Sequence, residues 1–354
     1  MNAYERIQKV LNRQQTDVVP VAPYLGNHAA VLFGCPLIDY YTQPAVMAEA
    51  QYFAWQTIGH DMVCMQSDNY YIAEGFGMQA QYHKNSTPTW LKPAITSLDN
   101  VARLRVPDPY QDGRMNVYIE ATRAISHRLK GKVAIRSAGT GPFSLAGHLL
   151  GVEPFLMAIA DIEHDTDEQN GPALHALMNL TTEALIAFSK AQLLAGADVV
   201  QCGDSLASLD MVSPEIYRKY AFPYEKMFFD AIRPFAREHH AYSLLHICGD
   251  NAKVMDLQAQ TGADILEIDS KADLKTWKNE VGDRAILMGN LDPTRILLQA
   301  STAQVREASQ ACLDDAAAGG GYILGSGCEV PMYAPAANLQ AMVASARAYQ
   351  DESL

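Results

Sequence analysis

Three side chains in the C-terminal half of the chain have the types and spacing to hold a metal ion. His246 and Cys248 lie in Leu244-Leu245-His246-Ile247-Cys248-Gly249-Asp250, and Cys328 lies in Gly325-Ser326-Gly327-Cys328-Glu329-Val330-Pro331. Each stretch follows or ends an apolar run, so each is expected at the end of a buried strand. One imidazole and two thiolates give a tetrahedral zinc ion three ligands and leave the fourth position open, which marks a catalytic rather than a structural zinc. The spacing is not that of a zinc finger. The same residues also suit a plainer role, as a buried strand histidine and two inert core cysteines.

Strands must bring these residues together, and the chain supplies eight short apolar runs, at about 18–24, 61–65, 133–137, 198–204, 242–247, 265–268, 285–288 and 322–324. Helical patterns separate nearly all of them: 44–58, 116–129, 171–195, a helix started by Ser213-Pro214-Glu215 that runs towards His239, and one started by Asp292-Pro293 that runs to about 318. Strands alternating with helices predict an α/β fold, a single (β/α)8 TIM barrel over 1–354. Residues 66–113 break the alternation with Gly75-Phe76-Gly77, Pro88, Pro93, Pro107 and Pro109. They read as an insertion after the second strand with a small hairpin, either a lid over the site or an idle excursion. In such barrels the loops after the strands carry the chemistry. Asp68, Gly139–Phe143, Asp204, His246 with Cys248, Asp269, Asn290 and Cys328 all fall there.

The composition narrows the partners. The 354 residues are 49% apolar and 19% charged, with 27 basic against 40 acidic residues and a net charge of −13. No Lys/Arg cluster appears, which disfavours nucleic acid and anionic membranes. The first residues show no signal-peptide pattern, and no apolar stretch approaches the roughly 20 residues of a membrane span. Six cysteines in a chain this long are no disulfide scaffold, so reduced thiols and a cytoplasmic setting are expected.

Further motifs carry a family resemblance over essentially the whole chain. Thr140-Gly141-Pro142-Phe143-Ser144-Leu145-Ala146, Gly203-Asp204-Ser205, Phe222-Pro223-Tyr224 and Gly289-Asn290-Leu291-Asp292-Pro293 resemble turns of the uroporphyrinogen decarboxylase superfamily. His246-Ile247-Cys248-Gly249 with Gly325-Ser326-Gly327-Cys328 resembles the His-x-Cys…Cys motif of one branch. That branch comprises zinc methyltransferases that move a methyl group from a methylated corrinoid protein to a thiol. The decarboxylase branch is matched less well. Its arginine-rich motif after the first strand is replaced here by Tyr24-Leu25-Gly26-Asn27-His28-Ala29, although Asp68 matches the position of the decarboxylase aspartate. A substrate with many carboxylates needs cationic partners.

The resemblance implies Zn2+ on His246, Cys248 and Cys328. It implies a methylcorrinoid (cobalamin) as methyl donor and coenzyme M or a related small thiol as acceptor. The chain has no Asp-x-His-x-x-Gly cobalamin motif, so the corrinoid is expected on a separate protein. Asp68, Asp204 and Glu74 are the expected catalytic acids. Glu74, Asp204, Glu267 and Asp269 are candidates to orient His246 or to serve as a displaceable fourth ligand. Tyr24, Thr140, Gly141, Phe143 and Asn290 are the expected cofactor contacts. Asp204, Asp269 and Asn290 have plainer alternatives, as capping or turn residues. Two other functions stay open: a metal-free decarboxylase of tetrapyrrole metabolism, and an idle barrel that binds a corrinoid or tetrapyrrole partner.

Overall fold

The structure is a computed structural model and describes residues 1–164 and 170–350. Among the described residues nine strands form: β1 (Met62–Cys64), β2 (Gln79–Gln81), β3 (Thr89–Lys92), β4 (Ala134–Arg136), β5 (Val199–Gly203), β6 (Tyr242–His246), β7 (Ile265–Glu267), β8 (Ile286–Leu291) and β9 (Tyr322–Ser326). Seven of them make one parallel sheet in the order β1-β4-β5-β6-β7-β8-β9, with helices between successive strands. The sheet is curled like a TIM barrel. Both of its faces are covered, so its strands read as almost unbroken apolar runs.

The run at 18–24 does not form the expected first strand. Only Val21 makes a ladder bridge, to Leu324 of β9. Pro20 and Pro23 lack the N–H groups a strand interior requires. An aspartate takes over where strand pairing stops. The Val21 N–H donates to Asp61 Oδ2 at 2.7 Å, and the Asp61 N–H donates to the Val21 carbonyl at 2.7 Å. Arg347 holds both Asp61 oxygens at 2.7 Å. The ring therefore closes from β9 to β1 through one residue and one carboxylate.

The interior of the ring is layered. Ala22, Met62, Ala134, Val199, Leu244, Ile265, Ile286, Met288 and Ile323 form a compact apolar cluster, plugged from below by Ile7 and Val10 of the helix Ala3–Leu11. Side chains two residues further along a strand point the same way, one layer up. That step leads from Ala22, Ala134, Val199, Leu244 and Ile265 to Tyr24, Arg136, Gln201, His246 and Glu267. An apolar floor thus carries a polar layer at the carboxyl ends of the strands.

Two helices differ from their expected form. Ser213 does cap its helix, but the stretch Tyr217–Ala221 is π-helical before the α-helix Phe222–Glu238. Pro223 cannot donate an i→i−4 bond, and a widened turn accommodates it. The helix begun at Pro293 is likewise π-helical to Leu298, and a second helix starts at Thr302 behind a Ser301 capping box.

The hairpin expected within 66–113 is β2–β3. None of its residues lines the cavity at His246, Cys248 and Cys328. Its Trp90 donates to the His148 carbonyl at 2.9 Å and, with Tyr70 and His148, lines a separate cavity of about 560 Å³. Among the described residues, no single helix is long and apolar enough to cross a membrane.

Candidate metal centre

His246 ends β6, and the chain must then turn sharply to point Cys248 back over the barrel. Gly249 makes the turn possible. Its φ is +90°, and a Cβ there would lie 2.6 Å from Ser208 Oγ. Its N–H donates to Asp269 Oδ2 at 2.9 Å. The Asn251 amide donates to the carbonyls of Ile247, Cys248 and Gly249 at 3.0–3.2 Å and staples the loop. On the other side, Cys328 follows β9. Its neighbour Gly327 donates to the Leu291 carbonyl at 2.8 Å, and a Cβ there would lie 2.3 Å from the Ser270 nitrogen. Gly249 is therefore required by its positive φ, and Gly327 by the close approach of the Ser270 backbone.

The turns bring the three donors together. His246 Nε2 lies 3.2 Å from Cys248 Sγ, which lies 3.5 Å from Cys328 Sγ. All three donor atoms lie within 4.8 Å of one another. A tetrahedral zinc ion would set two thiolate sulfurs about 3.8 Å apart and a sulfur and a nitrogen about 3.5 Å apart. The donor set fits such an ion in type and in spacing, and both cysteines are free thiols.

The other imidazole nitrogen is engaged from behind. His246 and Glu267 face each other in register on β6 and β7. His246 Nδ1 lies 3.1 Å from Glu267 Oε2 and 3.3 Å from the Glu267 carbonyl. Glu267 in turn accepts two hydrogen bonds from Arg136, at 2.7 and 2.6 Å. Arg136 also donates to Gln201 at 2.7 Å, and its guanidinium lies 4.4 Å from the Tyr24 ring centroid. A carboxylate on the far nitrogen fixes the ring and turns Nε2 towards the sulfurs, the usual support of a metal-bound histidine.

Electrostatics agree with a donor set short of a cation. Burial opposes a charged His246, but the Cys248 thiolate and Glu267 outweigh it and raise the imidazole pKa to about 9. A hydrogen bond from Cys328 and the nearby imidazole lower the Cys248 pKa. The same contact and burial raise that of Cys328. Glu329 lines the cavity above the donors. Burial raises its pKa to about 7, against hydrogen bonds of 2.8 and 2.9 Å from Asn27.

The acids expected near the chemistry are spread more widely. Asp68 lines the donor cavity, but both its oxygens are held by Arg114 at 2.8 and 2.9 Å, and Tyr118 donates to it at 3.1 Å. Glu74 sits on the other side of Arg114, at 2.7 Å, and does not line the cavity. Asp204 is fully buried and accepts from the Phe143 and Ser144 N–H groups at 3.1 and 2.6 Å. Its carboxylate caps the helix Pro142–Leu150, and only its backbone N–H reaches His246, at the carbonyl, 2.8 Å away. Asp269 anchors the Gly249 turn.

Of the expected cofactor contacts, Tyr24 lines the cavity. Thr140 is buried and hydrogen-bonds the Asn69 carbonyl and Tyr71, Phe143 packs against Phe155, and Gly141 leaves room for the Asp204 carboxylate. Asn290 bonds the Asp269 and Ala272 carbonyls. These four work as scaffold and do not line the donor cavity. Sequence reasoning missed Arg114, Arg136 and Asn251. The signal for Arg136 was present: a charged residue stands one place before the end of the apolar run at 133–137, as His246 does in the run at 242–247.

A parallel β/α barrel with an imidazole and two thiols converging at the carboxyl ends of its strands defines the class: a barrel with a candidate metal centre at its mouth. The chain belongs to the uroporphyrinogen decarboxylase (URO-D) family, whose model matches residues 2–349. It is 29% identical over 351 residues to a methylcobamide:CoM methyltransferase of Methanosarcina acetivorans, with 98% of each chain covered. It is 25% identical over 344 residues to a uroporphyrinogen decarboxylase of Carboxydothermus hydrogenoformans, covering 95% of this chain and 93% of that one. Among solved structures, a methyltransferase from Methanosarcina mazei superposes with a TM-score of 0.85 at 25% identity, with 98% of both chains covered.

Proposed function

We propose that the protein is a zinc-dependent methyltransferase that moves a methyl group from a methylated corrinoid, carried on a separate protein, to a small thiol. The observation that carries this reading is the convergence of His246, Cys248 and Cys328, with the far nitrogen of His246 on Glu267. The methyltransferase names of relatives that match the chain end to end support it.

His246, Cys248 and Cys328 would hold the ion. Bound there, zinc would acidify a thiol at its open position, so that a thiolate meets the methyl group at neutral pH. The protein's own residues prepare that encounter. Glu267 keeps Nδ1 of His246 engaged and Nε2 free to ligate. The two thiolates of Cys248 and Cys328 would leave such an ion electron-rich, which matters because thiolate nucleophilicity falls with thiol pKa. Arg114 holds Asp68 at the cavity wall, and Asn251 and Gly249 fix the loop that bears Cys248.

The decarboxylase alternative is less well supported. Residues 24–29 carry no arginine, and the two buried arginines next to the cavity are already bound bidentately to Asp68 and Glu267. A polycarboxylate substrate would find its cationic partners taken.

The test is metal content by elemental analysis of the wild type beside Cys248→Ser, followed by methyl transfer from methylcobalamin to small thiols. About one zinc per chain, lost in the variant, with transfer that depends on it, is the expected result. A wild type that takes up no metal from added zinc under reducing conditions would overturn the proposal.

A further inference from the structure

We infer that the acceptor thiol carries a neutral or cationic group and not a sulfonate or carboxylate. This rests on the proposed thiol methylation and narrows its substrate class. The cavity above the donors is about 90 Å³, small beside the roughly 300–1,000 Å³ of ordinary ligand pockets. A short thiol that presents its sulfur to the donors must place its other end against these walls or at the rim. Among the described residues that line the cavity there is no lysine or arginine. Besides the three donors, the polar lining residues are the uncharged Tyr24, Gln66, Ser67, Asn69, Gln201 and Ser205 and the acids Asp68 and Glu329.

The neighbouring cations are committed elsewhere. Arg136 is bidentate to Glu267, and Arg114 is bidentate to Asp68 and bound to Glu74. Lys271, exposed near the Cys248 loop, lies beside Asp210 at the surface and does not line the cavity. An anionic headgroup against these walls would lose its water without gaining an unpaired cation, and it would lie beside Glu329 and the Arg114-paired Asp68. Burying an unpaired charge in that way is unfavourable. A hydroxyl or ammonium group meets acceptors there.

The transfer itself places no demand for an anion. The thiol sulfur forms the new S–C bond, the Co–C bond breaks, both of its electrons stay on cobalt, and the thiol proton is released.

Three thiols differ only at the far end: 2-aminoethanethiol, 2-mercaptoethanol and 2-mercaptoethanesulfonate. Their binding to the zinc-loaded protein would be titrated calorimetrically, and their methylation by methylcobalamin measured in parallel. The sulfonate is expected to bind about tenfold or more weakly than the other two. Asn69→Arg, which adds a cation at the exposed rim, is expected to raise sulfonate affinity about tenfold relative to 2-aminoethanethiol. Sulfonate binding equal to or tighter than that of the neutral thiol would overturn the inference, as would binding of none of the three. Binding in the expected order without any methyl transfer would leave the acceptor class standing and remove the proposed reaction.

Discussion

Replacing Glu267 by glutamine separates two tasks of one carboxylate. Glu267 is fully buried, and Arg136, its bidentate partner, is 2% exposed. The substitution keeps the shape and removes the charge, leaving a guanidinium inside the barrel without a counter-charge, beside the new amide, Gln201 and the Tyr24 ring. Breaking a buried pair on one side costs about 3–5 kcal/mol. Loss of a carboxylate behind a metal-bound histidine lowers metal affinity about 10- to 100-fold. Urea unfolding of the metal-free protein reads the first quantity, and competition with a chromophoric chelator reads the second. Adding Arg136→Met to Glu267→Gln removes the stranded charge, so stability should return to within about 1.5 kcal/mol of wild type while metal affinity stays low. A double variant no more stable than the single one would refute the charge argument. Wild-type metal affinity in either variant would refute the orienting role of Glu267.

Three further outcomes are expected. Gly249→Ala, which forces an alanine to a φ of +90° and towards Ser208, should cost about 1–2 kcal/mol in urea unfolding and reduce bound metal, and adding Ser208→Ala should not restore either. Arg114→Met should cost about 3–5 kcal/mol because it strands Asp68 and Glu74, with Arg114→Lys falling between it and wild type; a neutral effect would exclude the pairing as a structural element. Burial raises the Asp204 pKa from 3.8 to about 6. Its protonated form is favoured on folding, so its contribution is complete below the unfolded pKa and is lost as pH rises through about 6, by about 3 kcal/mol in all. In Asp204→Asn, stability measured by urea unfolding across that range should fall less with rising pH than in the wild type, and an unchanged profile would count against the assignment.

Much of this arrangement was legible in the sequence, for physical reasons. Apolar runs that end in His-x-Cys-Gly and Gly-x-Gly-Cys place donors at strand ends, and parallel strands gather their carboxyl ends at one mouth. Seven of the eight runs became strands of the sheet. The exception, 18–24, has the β-branched composition of a strand but carries two prolines, and hydrogen-bond supply outweighed side-chain preference. Pairings were harder to read. Glu267 stood among four acids that could orient His246. The register of β6 against β7 selects it, and no local pattern reveals that register. Arg114 and Asp68 lie 46 residues apart, and Arg136 and Glu267 lie 131 apart. Asp204 looked catalytic because it ends a strand, yet the nearest orphan N–H groups belonged to a helix terminus and claimed it.

The single-residue closure at Val21 has a mechanical consequence. A hoop with seven full staves and one bridged residue has a seam, and the seam is where opening disrupts the fewest backbone hydrogen bonds. Cys328 stands just beyond β9, the stave on one side of that seam, while His246 ends β6 and Cys248 follows it, away from the seam across the mouth. An ion held by all three would work as a clasp across the hoop. Amides at Val21, Ala22 and Leu324 would then exchange with solvent more slowly when the metal is loaded, although none of them touches it. Metal uptake and the integrity of the barrel wall become one equilibrium, and the weakest joint of the fold reports on the occupancy of its most chemical part.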